Sequence, residues 1–140
     1  YSQTPLFDAA GSGKEWLVRI LLGDARTDVN KSNNNKWTPM HMGPNKPLKR
    51  FQVVELMLQP EKVDVGRVNN RGWTALHAAA RRGYDSIVKL LLADGRFDIN
   101  QKDKEGSTAL YYAAIYERPQ TLMLLLCRDD IDVDGATEFG

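Results

Sequence analysis

A chain of 140 residues with 42% apolar and 26% charged side chains is a folded domain of ordinary size, which excludes a disordered or low-complexity polymer. Its formal net charge of +1 provides no bulk attraction for nucleic acid or an anionic membrane. The longest apolar runs, such as residues 122–127, are too short to span a bilayer, and the solitary Cys127 cannot close an internal disulfide.

The first local feature is residues 7–15, F-D-A-A-G-S-G-K-E, whose Gly-Ser-Gly-Lys run suggests a phosphate-binding loop. Such a loop requires G-x-x-x-x-G-K-[ST] after a strand. Here Asp8 occupies the first glycine position and Glu15 the Ser/Thr position. Gly13 instead reads as a tight turn between two helices, with Lys14 in solvent.

Internal repetition organises the rest of the chain. T-P-L-F-D-A-A from Thr4, T-P-M-H-M-G-P from Thr38, T-A-L-H-A-A-A from Thr74 and T-A-L-Y-Y-A-A from Thr108 are separated by 34, 36 and 34 residues. Each is followed by a second apolar block (W-L-V-R-I-L-L, V-V-E-L-M-L, I-V-K-L-L-L, T-L-M-L-L-L) and then by T-D-V-N, V-D-V-G, F-D-I-N or I-D-V-D. The threonine is a helix cap, and Pro at the first helical position has no N–H to leave unpaired. The alanine pairs Ala9-Ala10, Ala79-Ala80 and Ala113-Ala114 keep the first helix slim. Ile87, Leu90 and Leu91 give the second helix an apolar face, with Lys89 on the wet side. A glycine turn closes each unit as a β-hairpin finger, and Asn30 and Asn100 read as turn residues. A unit this thin must stack on a neighbour to bury its apolar face.

The second unit departs most, with M-G-P-N-K-P-L-K-R-F in place of the alanine pair and glycine turn. Pro44 and Pro47 are expected to end or kink its first helix early. A partner-shaped surface and ordinary variation at a tolerated loop both account for this insertion.

T-A-L-H-A-A-A-R-R-G-Y-D-S-I-V-K-L-L-L, residues 74–92, resembles an ankyrin repeat, and the resemblance extends along the chain as four consecutive units. Their approximate bounds are 1–34, 35–70, 71–104 and 105–140, within a single domain, 1–140. The resemblance implies an all-α repeat solenoid of stacked helix-turn-helix repeats with β-hairpin fingers. Phe7 and Tyr111 stand where the family usually has histidine. His41 and His77 are implied to hydrogen-bond neighbouring backbone and hold the fingers. Neither they nor Cys127, which reads as a buried and inert thiol, form a metal or catalytic set, so no enzyme activity and no cofactor is expected. The ends of the chain fall inside fingers without polar capping repeats, which leads us to expect further repeats or domains in a longer parent chain.

By the same resemblance, the function is non-catalytic recognition of another protein through a concave face made of finger tips and first-helix ends. Carried over by position, the face comprises Asn35, Trp37, Lys46, Asn70, Arg71, Trp73, Arg81, Arg82, Lys104, Glu105, Ile115 and Tyr116. Tryptophan, tyrosine and arginine are the residues enriched at binding hot spots. Basic residues outnumber acidic ones at the centre, so the expected partner is a protein or peptide segment with acidic and apolar features, not nucleic acid or a membrane interior. On this reading Trp73→Ala and Arg81→Glu both weaken binding and leave the domain folded. A regulatory or targeting segment of a larger enzyme, receptor or channel is the alternative. One cysteine and no basic-then-apolar leader lead us to expect an intracellular setting, cytoplasmic or nuclear.

Overall fold

The computed structural model describes residues 3–42 and 47–135. Threonine caps open the first helices as the sequence implies. The side-chain oxygens of Thr4, Thr74 and Thr108 accept from the amides of Phe7, His77 and Tyr111 at 3.2, 3.4 and 3.2 Å. These caps start α1 (Pro5–Ser12), α4 (Ala75–Arg82) and α6 (Ala109–Ile115). The second helices are α2 (Glu15–Gly23), α3 (Pro47–Leu58), α5 (Asp85–Asp94) and α7 (Pro119–Leu126).

In the second repeat the first helix is cut to a single 3-10 turn, Pro39–His41. Pro47 does not close that helix; it is the first residue of α3, where a missing N–H costs nothing. Pro44 lies outside the described residues.

The chain divides into two compact units, residues 1–70 and 71–140. In the first, α1 packs on α2 and on the 3-10 turn, and α2 packs on α3. Leu6, Phe7, Val18, Val53 and Met57 fill the space between them, with Ala9 and Ala10 almost wholly buried. In the second, α4 packs on α5 and α6, and α7 packs on α5 and α6. Leu76, Val88, Leu91 and Leu125 are sealed there, and Ala79, Ala80 and Ala113 permit the close approach. Thr121, fully buried, donates its hydroxyl to Asp85 at 2.5 Å and ties α7 to α5.

Polar clamps repeat as faithfully as the apolar faces. The Asn30 amide donates to the Lys62 carbonyl (2.8 Å) and accepts from the Asp64 amide (2.7 Å). Asn100 does the same to Asp130 (2.7 Å) and Asp132 (2.8 Å). Both asparagines therefore bind the loop of the following repeat, which is more than a local turn role. The inter-repeat turns carry their own i,i+2 ion pairs, Arg26–Asp24 and Arg96–Asp94, reversed in the fourth repeat as Arg128–Asp130. Cys127 is exposed, contrary to the buried thiol expected. Its register position closes the second helix, where Gly23, Gln59 and Ala93 are also exposed.

The fingers contain no strand among the described residues, which corrects the expected β-hairpins. Two of them are instead turns, each organised by one side chain. The Asn33 oxygen accepts from the Asn35 and Trp37 amides at 3.0 Å, and Asp103 Oδ1 accepts from those of Glu105 and Ser107 at 2.9 and 2.8 Å. Those amides are consumed inside the tip, and a single backbone bond closes each base: Asn33 to Trp37 and Asp103 to Ser107, both 2.9 Å. A ladder has no room to start.

Two kinds of turn require left-handed backbone. Gly13 (φ 66°) and Gly83 (φ 70°) end α1 and α4, where the next amide reaches back to the Ala9 or Ala79 carbonyl. The fourth repeat makes the same turn with Glu117 at φ 52°. Gly72 (φ 80°) and Gly106 (φ 77°) occupy the finger position that Lys36 fills at φ 57°. These two non-glycine residues bear the steric penalty that glycine avoids in their sister repeats. Glu117→Gly and Lys36→Gly are each expected to stabilise the chain by roughly 0.5–1 kcal/mol, the strain relieved less the extra chain entropy of glycine. Gly83→Ala is expected to destabilise it, because a Cβ there lies 2.7 Å from the Arg118 side chain. Urea-unfolding midpoints of the three variants check the opposite signs.

Candidate functional site

The site grows from one buried carboxylate. Asp103 Oδ1 holds its own finger, as described, and Oδ2 accepts from the Trp73 indole (2.9 Å) and the Tyr112 hydroxyl (2.7 Å). Four donors thus converge on one side chain, and the Trp73 indole also lies 3.2 Å from the Tyr112 oxygen. Burial acts to raise the Asp103 pKa, but the bonds from Tyr112, Ser107, Glu105 and Trp73 together hold it below 3.8. Burial, together with the hydrogen bond to Asp103, pushes the Tyr112 hydroxyl up to about 12.

Histidine supports the same finger from the other side. His77 Nδ1 takes the Thr74 amide at 3.2 Å, so its proton resides on Nε2, which donates to the Ser107 carbonyl at 3.2 Å. Burial lowers its pKa below 6.5 against the opposing pull of Ser107, favouring the neutral ring. His41 makes the matching 3.2 Å bond to the Thr38 amide. Both histidines make the backbone bond that the sequence resemblance implied, and His77 also makes the bond to the following finger.

Aromatic rings build outward from this base. Tyr112 meets Trp73 edge-on at 5.0 Å and lies over Tyr116 at 6.3 Å in a stacked arrangement. The Arg81 guanidinium lies 5.5 Å from the Trp73 ring centre and 4.7 Å from that of Tyr116, and Arg71 lies 5.3 Å from Trp73. The α4 C-terminus, where carbonyls carry partial negative charge, suits Arg81 and Arg82. The result is a shallow depression floored by aromatic rings, with basic groups and the acid Glu105 around it. Ile115 is 50% exposed on its wall and Tyr116 39%, so apolar surface remains available to a partner.

Of the residues nominated by sequence, Arg71, Trp73, Arg81, Glu105, Ile115 and Tyr116 come together in this depression. Trp73 does so as floor. It is 5% exposed, and its truncation is a core deletion, which corrects the expectation that Trp73→Ala would leave the domain folded as before. Arg82 turns instead to Tyr84, its guanidinium carbon 5.9 Å from that ring. Lys104 is exposed on the finger and contributes its backbone amide to the Arg71 carbonyl at 3.1 Å. Asn35, Trp37 and Asn70 belong to the first unit. There the Asn70 amide donates to the Asn35 carbonyl at 3.0 Å, and the half-buried Trp37 ring packs edge-on against His41 at 5.7 Å. Lys46 lies outside the described residues.

Sequence reasoning missed Asp103, Tyr111 and Tyr112 as site builders. Tyr112 was detectable: it stands where the third repeat has Ala78, and a large aromatic at a slim position must displace or join something.

This geometry defines a helical-repeat module with a basic, aromatic surface depression. The family model for ankyrin repeats (three copies) matches residues 45–136, and the chain belongs to the ankyrin-repeat family. The helix pair α1–α2 precedes that match and has the same Thr-Pro opening, so the described structure has four such units. No curated protein matches the chain. Ankyrin repeats are generally protein–protein interaction modules.

Asp103→Asn keeps the finger acceptor but leaves the Trp73 N–H facing an amide NH2, which donates and cannot accept from it. A loss on the order of 1–3 kcal/mol at neutral pH is expected. Because the folded Asp103 pKa is depressed, its stabilising contribution is complete above about pH 3.9, its unfolded value, and is lost as pH falls below that through the folded value. Chemical unfolding from pH 6 to pH 2.5 checks this: the variant is expected to lose less stability over the acid range than the native chain.

Proposed function

We propose that this chain is a non-catalytic protein-interaction module. On this reading it binds an acidic, apolar-anchored segment of a partner through the depression shared by the third and fourth repeats. The observation that carries the reading is Arg81, stacked between the rings of Trp73 and Tyr116 and flanked by half-exposed Ile115. Aromatic rings hold the guanidinium in place at little entropic cost, so the surface is organised before a partner arrives. The same residues supply the two ingredients of a binding hot spot, a charged anchor and desolvated apolar area beside it.

Arg81→Glu reverses the charge at the centre of this surface and is expected to reduce partner capture at least tenfold with the thermal midpoint little changed. A photo-crosslinking amino acid at position 115 in the full-length protein reads this directly. The crosslinked partner is expected to disappear in Arg81→Glu and to persist in Arg19→Glu, a substitution in the other unit. A crosslinked partner retained equally by both variants would place recognition elsewhere.

A further inference from the structure

Resting on that reading, we infer that Arg81 receives a single aspartate or glutamate side chain of the partner segment. The carboxylate is taken end-on by the two terminal guanidinium nitrogens, and the residue beside it in the partner is apolar and lies on Ile115 and Tyr116.

Arg81 is unusual in how its nitrogens are disposed. Its Nε is sealed from solvent and has no hydrogen-bond partner. The terminal nitrogens are neither sealed in this way nor hydrogen-bonded within the protein, so they remain for an outside acceptor. The ring contacts at 5.5 and 4.7 Å fix the guanidinium plane, and the Arg118 side chain fixes the backbone beneath it by donating Nε–H to the Arg81 carbonyl at 3.1 Å. A planar cation with weak hydration and a preset orientation is matched by a carboxylate, which accepts both parallel N–H bonds.

No acid of the site itself serves this role. Asp103 has both oxygens committed to Trp73, Tyr112 and the Glu105 and Ser107 amides. Glu105 lines the same depression, is exposed, and makes no ion pair with Arg81. Its negative charge also decides between ligands. A doubly charged phosphate would be repelled by Glu105 more strongly than a single carboxylate, so the fit is to an acidic side chain.

Peptides selected from a random heptapeptide display library on the immobilised chain provide the probe. An acidic residue adjoining a Leu, Ile, Phe or Met is expected to be enriched. Replacing that acid by its amide should weaken binding tenfold or more to the native chain, but less than twofold to Arg81→Gln. Arg81→Lys retains charge without the planar fork and should recover only part of the affinity, whereas Glu105→Gln should tighten binding severalfold. In NMR titrations the Arg81 Nε–H resonance and the Tyr116 ring resonances should shift together as peptide is added. If peptides that shift these resonances bind equally well with acid or amide, or bind more tightly with phosphoserine at that position, the carboxylate assignment is overturned while the binding surface stands. If no selected peptide perturbs Arg81, Ile115 or Tyr116, the proposed surface itself falls.

Discussion

A unit of two short helices has no interior of its own, so each buried apolar side chain is covered by something a repeat away in sequence or by its own partner helix. That constraint accounts for the slim first helices. Ala79, Ala80 and Ala113 are almost fully buried because α4 and α6 approach to where only a methyl group fits. Any larger side chain at such a position would force neighbours off their rotamers. The same constraint extends to polar groups. Asn30 and Asn100 each satisfy one donor and one acceptor of the loop that follows, so loops that cannot form a ladder still have partners for their backbone. The corresponding residue of the second repeat is Gly66, which has no side chain for such a clamp.

Asp103 shows how a structural position becomes the foundation of a site. Its counterpart Asn33 holds a finger with one oxygen accepting two amides, and Oδ1 of Asp103 does the same work. What the carboxylate adds is a second acceptor oxygen. That oxygen takes the Trp73 indole and the Tyr112 hydroxyl together, pinning one ring from each of two successive repeats at a 5.0 Å separation. A neutral amide would present a donor there and could satisfy only one of them. The bonds to a charged acceptor outweigh the cost of burying it, which is why its pKa falls despite burial. The rings so fixed are the surface on which Arg81 lies.

What was legible in the sequence divides along the range of the interactions. The repeat, its helix pairs, the threonine caps, the histidine bonds and the Gly13 turn depend on residues within a few positions and on a register seen several times over. The fingers were misread as hairpins because glycine spacing fits both a ladder and an Asx-organised tip; the side-chain oxygens of Asn33 and Asp103 decide for the latter. Finger position alone assigns Trp73 to a surface, and its equivalent Trp37 is indeed only half-buried. The actual burial of Trp73 is set by Asp103 and Tyr112, 30 and 39 residues away, and no other repeat has Asp and Tyr at the same two register positions together. Cys127 could have been placed correctly from register alone, since Gly23 and Ala93 at the same helix end are not core residues.

The distribution of arginines argues for the same part of the molecule independently of the rings. Arg19, Arg26, Arg67, Arg96 and Arg128 are each neutralised by a carboxylate two to four residues away, in pairs that are exposed or partly so. Such local pairs add little to stability, but they remove those cations from competition for a partner's acids. Arg118 is directed to a backbone carbonyl, and Arg82 to a tyrosine. Arg81 differs from all of these: among the described residues its guanidinium has two aromatic contacts and no acceptor. The guanidinium groups paired along the outer turns thus contrast with the guanidinium at the end of α4, which no carboxylate pairs. The proposed docking of an acidic segment rests on this local difference, since a net charge of +1 supplies no general attraction.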